Sequence, residues 1–226
     1  MGENDSFGVN VVFTEFGIHL GKEAEVKEEL RVTIRELEQT ARDIHTMLQR
    51  VHRPGGVKET SGLTSRSRDK FNAVKDLYSQ LDTKLPPNSY WKFVAILSFL
   101  FRSDNFPSRY SQLWQSTTSW IAFLASLTIY LETEALATKE QVEEMLGLAT
   151  TKSVKLDIEE YLIGLTHLSN ELSRLSVNCV TSEDYARPER IADFITSLNS
   201  GFRYLGIALV WVLSMLVSFQ APQPQE

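Results

Sequence analysis

Residues 26–51, VKEELRVTIRELEQTARDIHTMLQRV, decide the fold class. Their apolar members Val26, Leu30, Ile34, Leu37, Ala41, Ile44, Leu48 and Val51 recur in steps of three and four. That spacing puts them on one stripe of a long helix, close to a heptad. Glu38 and Arg42, acid first and four apart, add slight support across a turn. Pro54-Gly55-Gly56 ends the run.

The same period continues downstream. Phe71, Val74, Tyr78, Leu81 and Leu85 mark a second helix, stopped by Pro86-Pro87. From Trp114 to Leu131 the chain is uncharged and turns almost wholly apolar toward its end, which predicts a helix buried all round. Ser, Thr and Gln at its start argue for a core element rather than a membrane span. Thr138-Lys139-Glu140-Gln141 has the spacing of a capping box, and Gly147 supplies the matching stop. Asp157 is placed to cap a helix whose face runs Tyr161, Leu165, Leu168, Leu172, Leu175, Cys179. A last element starts at Pro188 and shows Ile191, Phe194, Leu198, Phe202 and Leu205. No stretch alternates as a strand would. The expected fold is an all-α, multi-helix bundle.

Composition narrows the function classes. At 226 residues, with 42% hydrophobic and 23% charged residues, the chain can bury a sizeable core and is not disordered. A single cysteine, Cys179, forms no internal disulfide and suits a reducing compartment. Met1 to Asn10 carries no basic run of the kind that opens a signal peptide. A net charge of −6 argues against coating duplex DNA by bulk electrostatics but leaves room for a local basic groove.

Few residues carry chemistry. His19, His45, His52 and His167 form no His-x-x-x-His pair, and each is read as a surface or satisfied core residue. Phosphate-cradling and nucleophile-elbow glycine motifs are missing. His167 and Glu171 stand four apart on one helix side, a weak candidate for an acidic or metal site and more simply an ordinary helix pair. Cations gather at Arg50, His52, Arg53 and Lys58 around the first break, and at Arg66, Arg68 and Lys70 in the second helix. Arg102 and Arg109 lie near Trp91, Tyr110 and Trp114, and cations beside aromatics suit single-stranded nucleic acid.

Three blocks carry a family resemblance: Tyr130-Leu-Glu-Thr-Glu-Ala-Leu, Leu156-Asp-Ile-Glu-Glu-Tyr-Leu, and Glu171-Leu-Ser-Arg-Leu-Ser-Val-Asn-Cys-Val-Thr-Ser-Glu-Asp-Tyr-Ala-Arg-Pro. With Leu37-Glu-Gln-Thr-Ala-Arg42 and Ser200-Gly-Phe-Arg203, most of residues 20–205 resembles the translin family. The resemblance implies a helical bundle closing into an octameric ring or shell that binds single-stranded DNA and RNA. It implies a partner, the paralogue translin-associated factor X, in an endoribonuclease complex of RNA silencing and tRNA processing. The magnesium-binding carboxylates belong to that paralogue; aligned here, two fall on Trp120 and Phe123, a third on His167, and only Glu171 stays acidic.

The resemblance therefore implies a subunit without catalytic residues, metal or other cofactor of its own, in the cytoplasm and with the nucleus as a second location. Its expected nucleic-acid contacts are Arg66, Arg68 and Arg109, with Lys70 in weaker support. The alternatives are an autonomous magnesium-dependent endoribonuclease, or a helical assembly protein that has lost nucleic-acid binding. No membrane partner is expected.

The chain also departs from the family. In Arg109-Tyr-Ser-Gln-Leu-Trp114, Ser111 and Leu113 stand where the family has histidines. Residues 91–108 are extra, and 206–226 form a divergent apolar tail on a 1–205 domain, as a retained intron or alternative transcript would leave. The tail, Gly206 to Phe219, is shorter than a membrane span. Without the family's last helix, weaker folding and failed octamer assembly are expected.

Overall fold

The computed structural model describes residues 4–53, 55–85, 110–181 and 184–220. Pro54, the Pro86-Pro87 stop, the 91–108 insertion and Arg109 lie outside them. Every regular element among the described residues is helical: α1 (Asn4–Leu48), α2 (Thr60–Lys84), α3 (Gln115–Thr133), α4 (Lys139–Leu146), α5 (Ile158–Thr181) and α6 (Ala186–Gln220). The chain divides into two compact units, Met1–Leu168 and Ser169–Glu226.

In the first unit α1 and α2 form an antiparallel hairpin. Lys84 Nζ donates to Thr33 Oγ1 at one end (2.8 Å), and Lys70 approaches Asp43 nearer the other (4.0 Å). The stripe read from the sequence is its core: Leu30, Ile34, Leu37, Ala41, Ile44, Leu48 and Val51 are all buried, as are Phe71, Val74, Tyr78, Leu81 and Leu85. Helix α3 runs parallel to α1 and antiparallel to α2, and all of Ile121–Leu131 is buried. A helix so nearly surrounded has nowhere to put charge, which is why none occurs along that length.

Two pairs of buried polar side chains meet across the helices of this unit. Tyr78 donates its hydroxyl to Thr118 (2.9 Å), and Ser67 meets Thr128 (3.2 Å). Burial pushes the Tyr78 phenol well above its ordinary range, the bond to Thr118 opposing it. Asp82, near the end of α2, accepts backbone N–H bonds from Lys152, Ser153 and Val154 at 3.0, 2.6 and 3.3 Å. It thereby ties down the α4–α5 connection.

Local capping follows the sequence. Thr138 and Gln141 form the reciprocal capping box of α4, and Gly147 closes that helix at φ 76°. At α5, the Asp157 N–H donates to the Glu160 carboxylate (3.0 Å), and Tyr161 N–H donates to Asp157 O (3.1 Å). Glu160 is 3% exposed, and burial pushes its carboxyl up to about 7. In the second unit Leu172, Leu175, Cys179, Ile191 and Leu198 are buried. Helix α6 begins at Ala186, two residues before Pro188, so the proline occupies its first turn. It continues without a break past residue 205 to Gln220. Among the described residues, no helix is long and apolar enough to cross a membrane.

Candidate nucleic-acid interface

The cations of α2 do not share one face. At 3.6 residues per turn, Arg66 and Lys70 are one turn apart on one side, while Arg68 lies about 160° around from Arg66. Arg68 turns toward the end of α3, where Nε and Nη2 donate to the two carboxylate oxygens of Glu132 (2.8 and 2.6 Å). That two-pronged bond keeps Arg68 more firmly protonated than an ordinary arginine, against the opposing effect of burial. Lys70 is exposed and has Asp43 at 4.0 Å, the outer limit of an ion pair. Arg66 is exposed, and its side chain makes no hydrogen bond or ion pair among the described residues. Of the expected contacts on α2, then, Arg66 stands free, Lys70 is weakly engaged and Arg68 is held.

Beside Arg68 an open groove of about 380 Å³ runs between α2, α3 and α4. Its cations Arg68 and Lys75 are interleaved with Asp69 and Glu144, so it presents no single sign of charge to an anionic strand.

The positions matched to the paralogue's carboxylates do converge. Phe123 and His167 lie with ring centroids 6.0 Å apart, and His45 meets Trp120 edge-on at 5.8 Å and Phe123 at 6.3 Å. Trp120 is half-buried, His167 is exposed, and His45 also hydrogen-bonds Gln49 (2.8 Å). Magnesium takes oxygen ligands in near-octahedral array, and these rings offer none. The cluster does not fit the ion. Gly164 makes the convergence feasible: a Cβ there would stand 3.0 Å from Phe123 N and 3.2 Å from Ser119 O, so α3 and α5 touch backbone to backbone. Glu171, one turn beyond His167, has Arg174 at 3.4 Å. Among the described residues, no three His, Cys, Asp or Glu side chains come together as a metal site would need.

The sequence reading left His45 out of this cluster, because its ring neighbours come from a helix some 75 residues later in the chain. It also passed over Glu160. The spacing Asp157-x-x-Glu160 carried the signal, since an acid three residues after a cap reaches back to the cap's own N–H.

Comparison with known proteins agrees with this architecture. The model of the translin family matches residues 25–211. Translin from Homo sapiens and from Mus musculus are each 39% identical over 201 residues, covering 88% of this chain and 81% of the relative. Translin from Gallus gallus is 36% identical over a stretch covering 88% of this chain and 80% of its own length. On these matches the chain belongs to the translin family, whose members bind nucleic acids and oligomerise.

Proposed function

We propose that this chain is a single-strand DNA- and RNA-binding subunit without catalytic activity of its own. It associates with translin-associated factor X in an endoribonuclease complex of RNA silencing and tRNA processing. The observation that supports the non-catalytic half is the ring cluster in which Trp120, Phe123 and His167, the positions that the resemblance matches to the paralogue's carboxylates, pack with His45. Any magnesium in the complex is held by the paralogue. Strand binding is supported by family membership and by Arg66, an exposed cation on α2 with no internal counter-charge.

Two assays on the purified full chain test this. Fluorescence anisotropy with a short single-stranded oligonucleotide should show binding that weakens steeply as salt rises, because released counterions drive phosphate contacts. Affinity indifferent to salt would count against it. Incubated with single-stranded RNA and magnesium, the chain should leave the RNA intact. Cleavage that disappears in Glu171→Ala would instead establish the autonomous nuclease.

A further inference from the structure

The sequence shows a second group of cations at the break between α1 and α2, which the contacts named so far leave unused. From Gln49 to Thr60 the chain carries Arg50, Arg53 and Lys58 against one acid, Glu59. Short 3-10 helices at Gln49–His52 and Gly56–Glu59 build this tip, pinned by backbone bonds from Arg53 N to Arg50 O (3.1 Å), Gly56 N to Arg53 O (2.8 Å) and Lys58 N to Gly55 O (3.0 Å). Gly55 sits at φ 78°, a conformation L side chains rarely adopt. A Cβ on Gly56 would overlap Arg50 O and stand 2.8 Å from Val51 O. Val51 and Gly56 are buried, so the turn is folded onto the hairpin.

That fixed turn holds its cations outward. Arg50, Arg53 and Lys58 are exposed, and their side chains make no hydrogen bond or ion pair among the described residues. Glu132, at the α3 end that reaches the same part of α2, is already taken by Arg68. The tip also continues the Arg66 face. Lys70 sits opposite Asp43, which fixes the hairpin register; Arg66 is one turn nearer the tip on α2, and Arg50 lies beyond Asp43 in the 3-10 turn that follows α1. Arg66 to Thr60 covers about 9 Å along α2 at 1.5 Å per residue, and Lys58 lies just beyond in the 3-10 turn. An unneutralised basic track on a chain of net charge −6 has a specific use.

We infer that the α1–α2 tip is a phosphate-contact site, in which Arg50, Arg53 and Lys58 extend the Arg66 face and grip the backbone of a bound single strand. This rests on the strand-binding function proposed above. The contacts made by these three cations are to phosphate, since no Phe, Tyr or Trp belongs to the tip, so they add affinity without base preference.

The test uses the full chain and a fluorescein-labelled, mixed-sequence, single-stranded 20-nucleotide DNA. The variant Arg50→Gln/Arg53→Gln/Lys58→Gln should bind at least tenfold more weakly at 0.1 M salt. Its plot of log Kobs against log salt should be shallower by about 2, at roughly 0.7 per phosphate contact on single strands. A charge-keeping variant, Arg50→Lys/Arg53→Lys/Lys58→Arg, should keep the wild-type slope. Loss of slope in that variant as well would mark a merely structural effect and overturn the site. An unchanged slope in the glutamine variant, alongside a shallower one in Arg66→Gln, overturns the tip and leaves strand binding standing. A wild-type chain that does not bind the oligonucleotide overturns both.

Discussion

The interior of the first unit and the tip of its α1–α2 hairpin use the same kinds of residue to opposite ends. Inside, Tyr78 finds Thr118 and Ser67 finds Thr128; nearer the surface Arg68 finds Glu132, and Asp82 collects three backbone donors. At the tip, Arg50, Arg53 and Lys58 point to solvent with no internal partner. Each pairing inside satisfies a group that would otherwise be costly to desolvate, so it serves the fold. An exposed cation left unpaired contributes little to folding and keeps its donors for an outside anion. Basic residues in a sequence are therefore not equivalent, and what separates Arg66 from Arg68 is the helix face each occupies.

The largest effect expected from testing this contrast is at Glu160. Its buried carboxyl titrates near 7 rather than the usual 4.5, so between those values the folded chain holds a proton that the unfolded chain has released. Stability must fall as pH rises through that window. Glu160→Gln keeps an acceptor for the Asp157 N–H and removes the charge. It should raise stability on the order of 2 kcal/mol above pH 8 and change little at pH 4. Thermal melts of the two proteins that run parallel from pH 4 to 9 would refute this.

Asp82 has the opposite sign. Burial raises its pKa, but the three N–H groups on its carboxylate lower it further, so the net shift is downward. Its stabilisation is complete above the ordinary carboxyl range and is lost as pH falls below it. Asp82→Ala should cost about 2 kcal/mol near neutrality in a urea titration. A difference below about 0.5 kcal/mol would mean that the α4–α5 connection does not depend on it.

The smallest effects separate the two arginines. Arg68→Gln should cost about 0.5–1 kcal/mol of stability and leave the salt dependence of oligonucleotide binding nearly unchanged. Arg66→Gln should leave stability within about 0.5 kcal/mol and make the salt slope shallower by about 0.7. Finding the two roles exchanged would break the distinction.

Much of the fold can be read from the sequence because its signals are local. The stripe from Leu30 to Val51, the Thr138 capping box and the Gly147 stop depend on neighbours within a few turns, and all appear as expected. The reading stops short where no packing period exists: α1 begins at Asn4, yet Phe13, Ile18 and Leu20 in its first half are largely exposed. The site was less accessible. That Arg68 meets Glu132, 64 residues away, follows from how α2 lies on α3, and composition holds no trace of it. The ring cluster is an intermediate case. Resemblance pointed to Trp120, Phe123 and His167, and only the three-dimensional arrangement brought in His45.

Gly164 has one further consequence. With no side chain between the two backbones, the spacing of α3 and α5 is set by main-chain bulk and admits no adjustment by residue choice at that point. Near that contact Trp120 and His167 are not fully buried and can vary, whereas Phe123 belongs to the core. At the first two a ring could give way to an acid whose charge reaches solvent, as though the scaffold were common stock and only the fittings were subunit-specific.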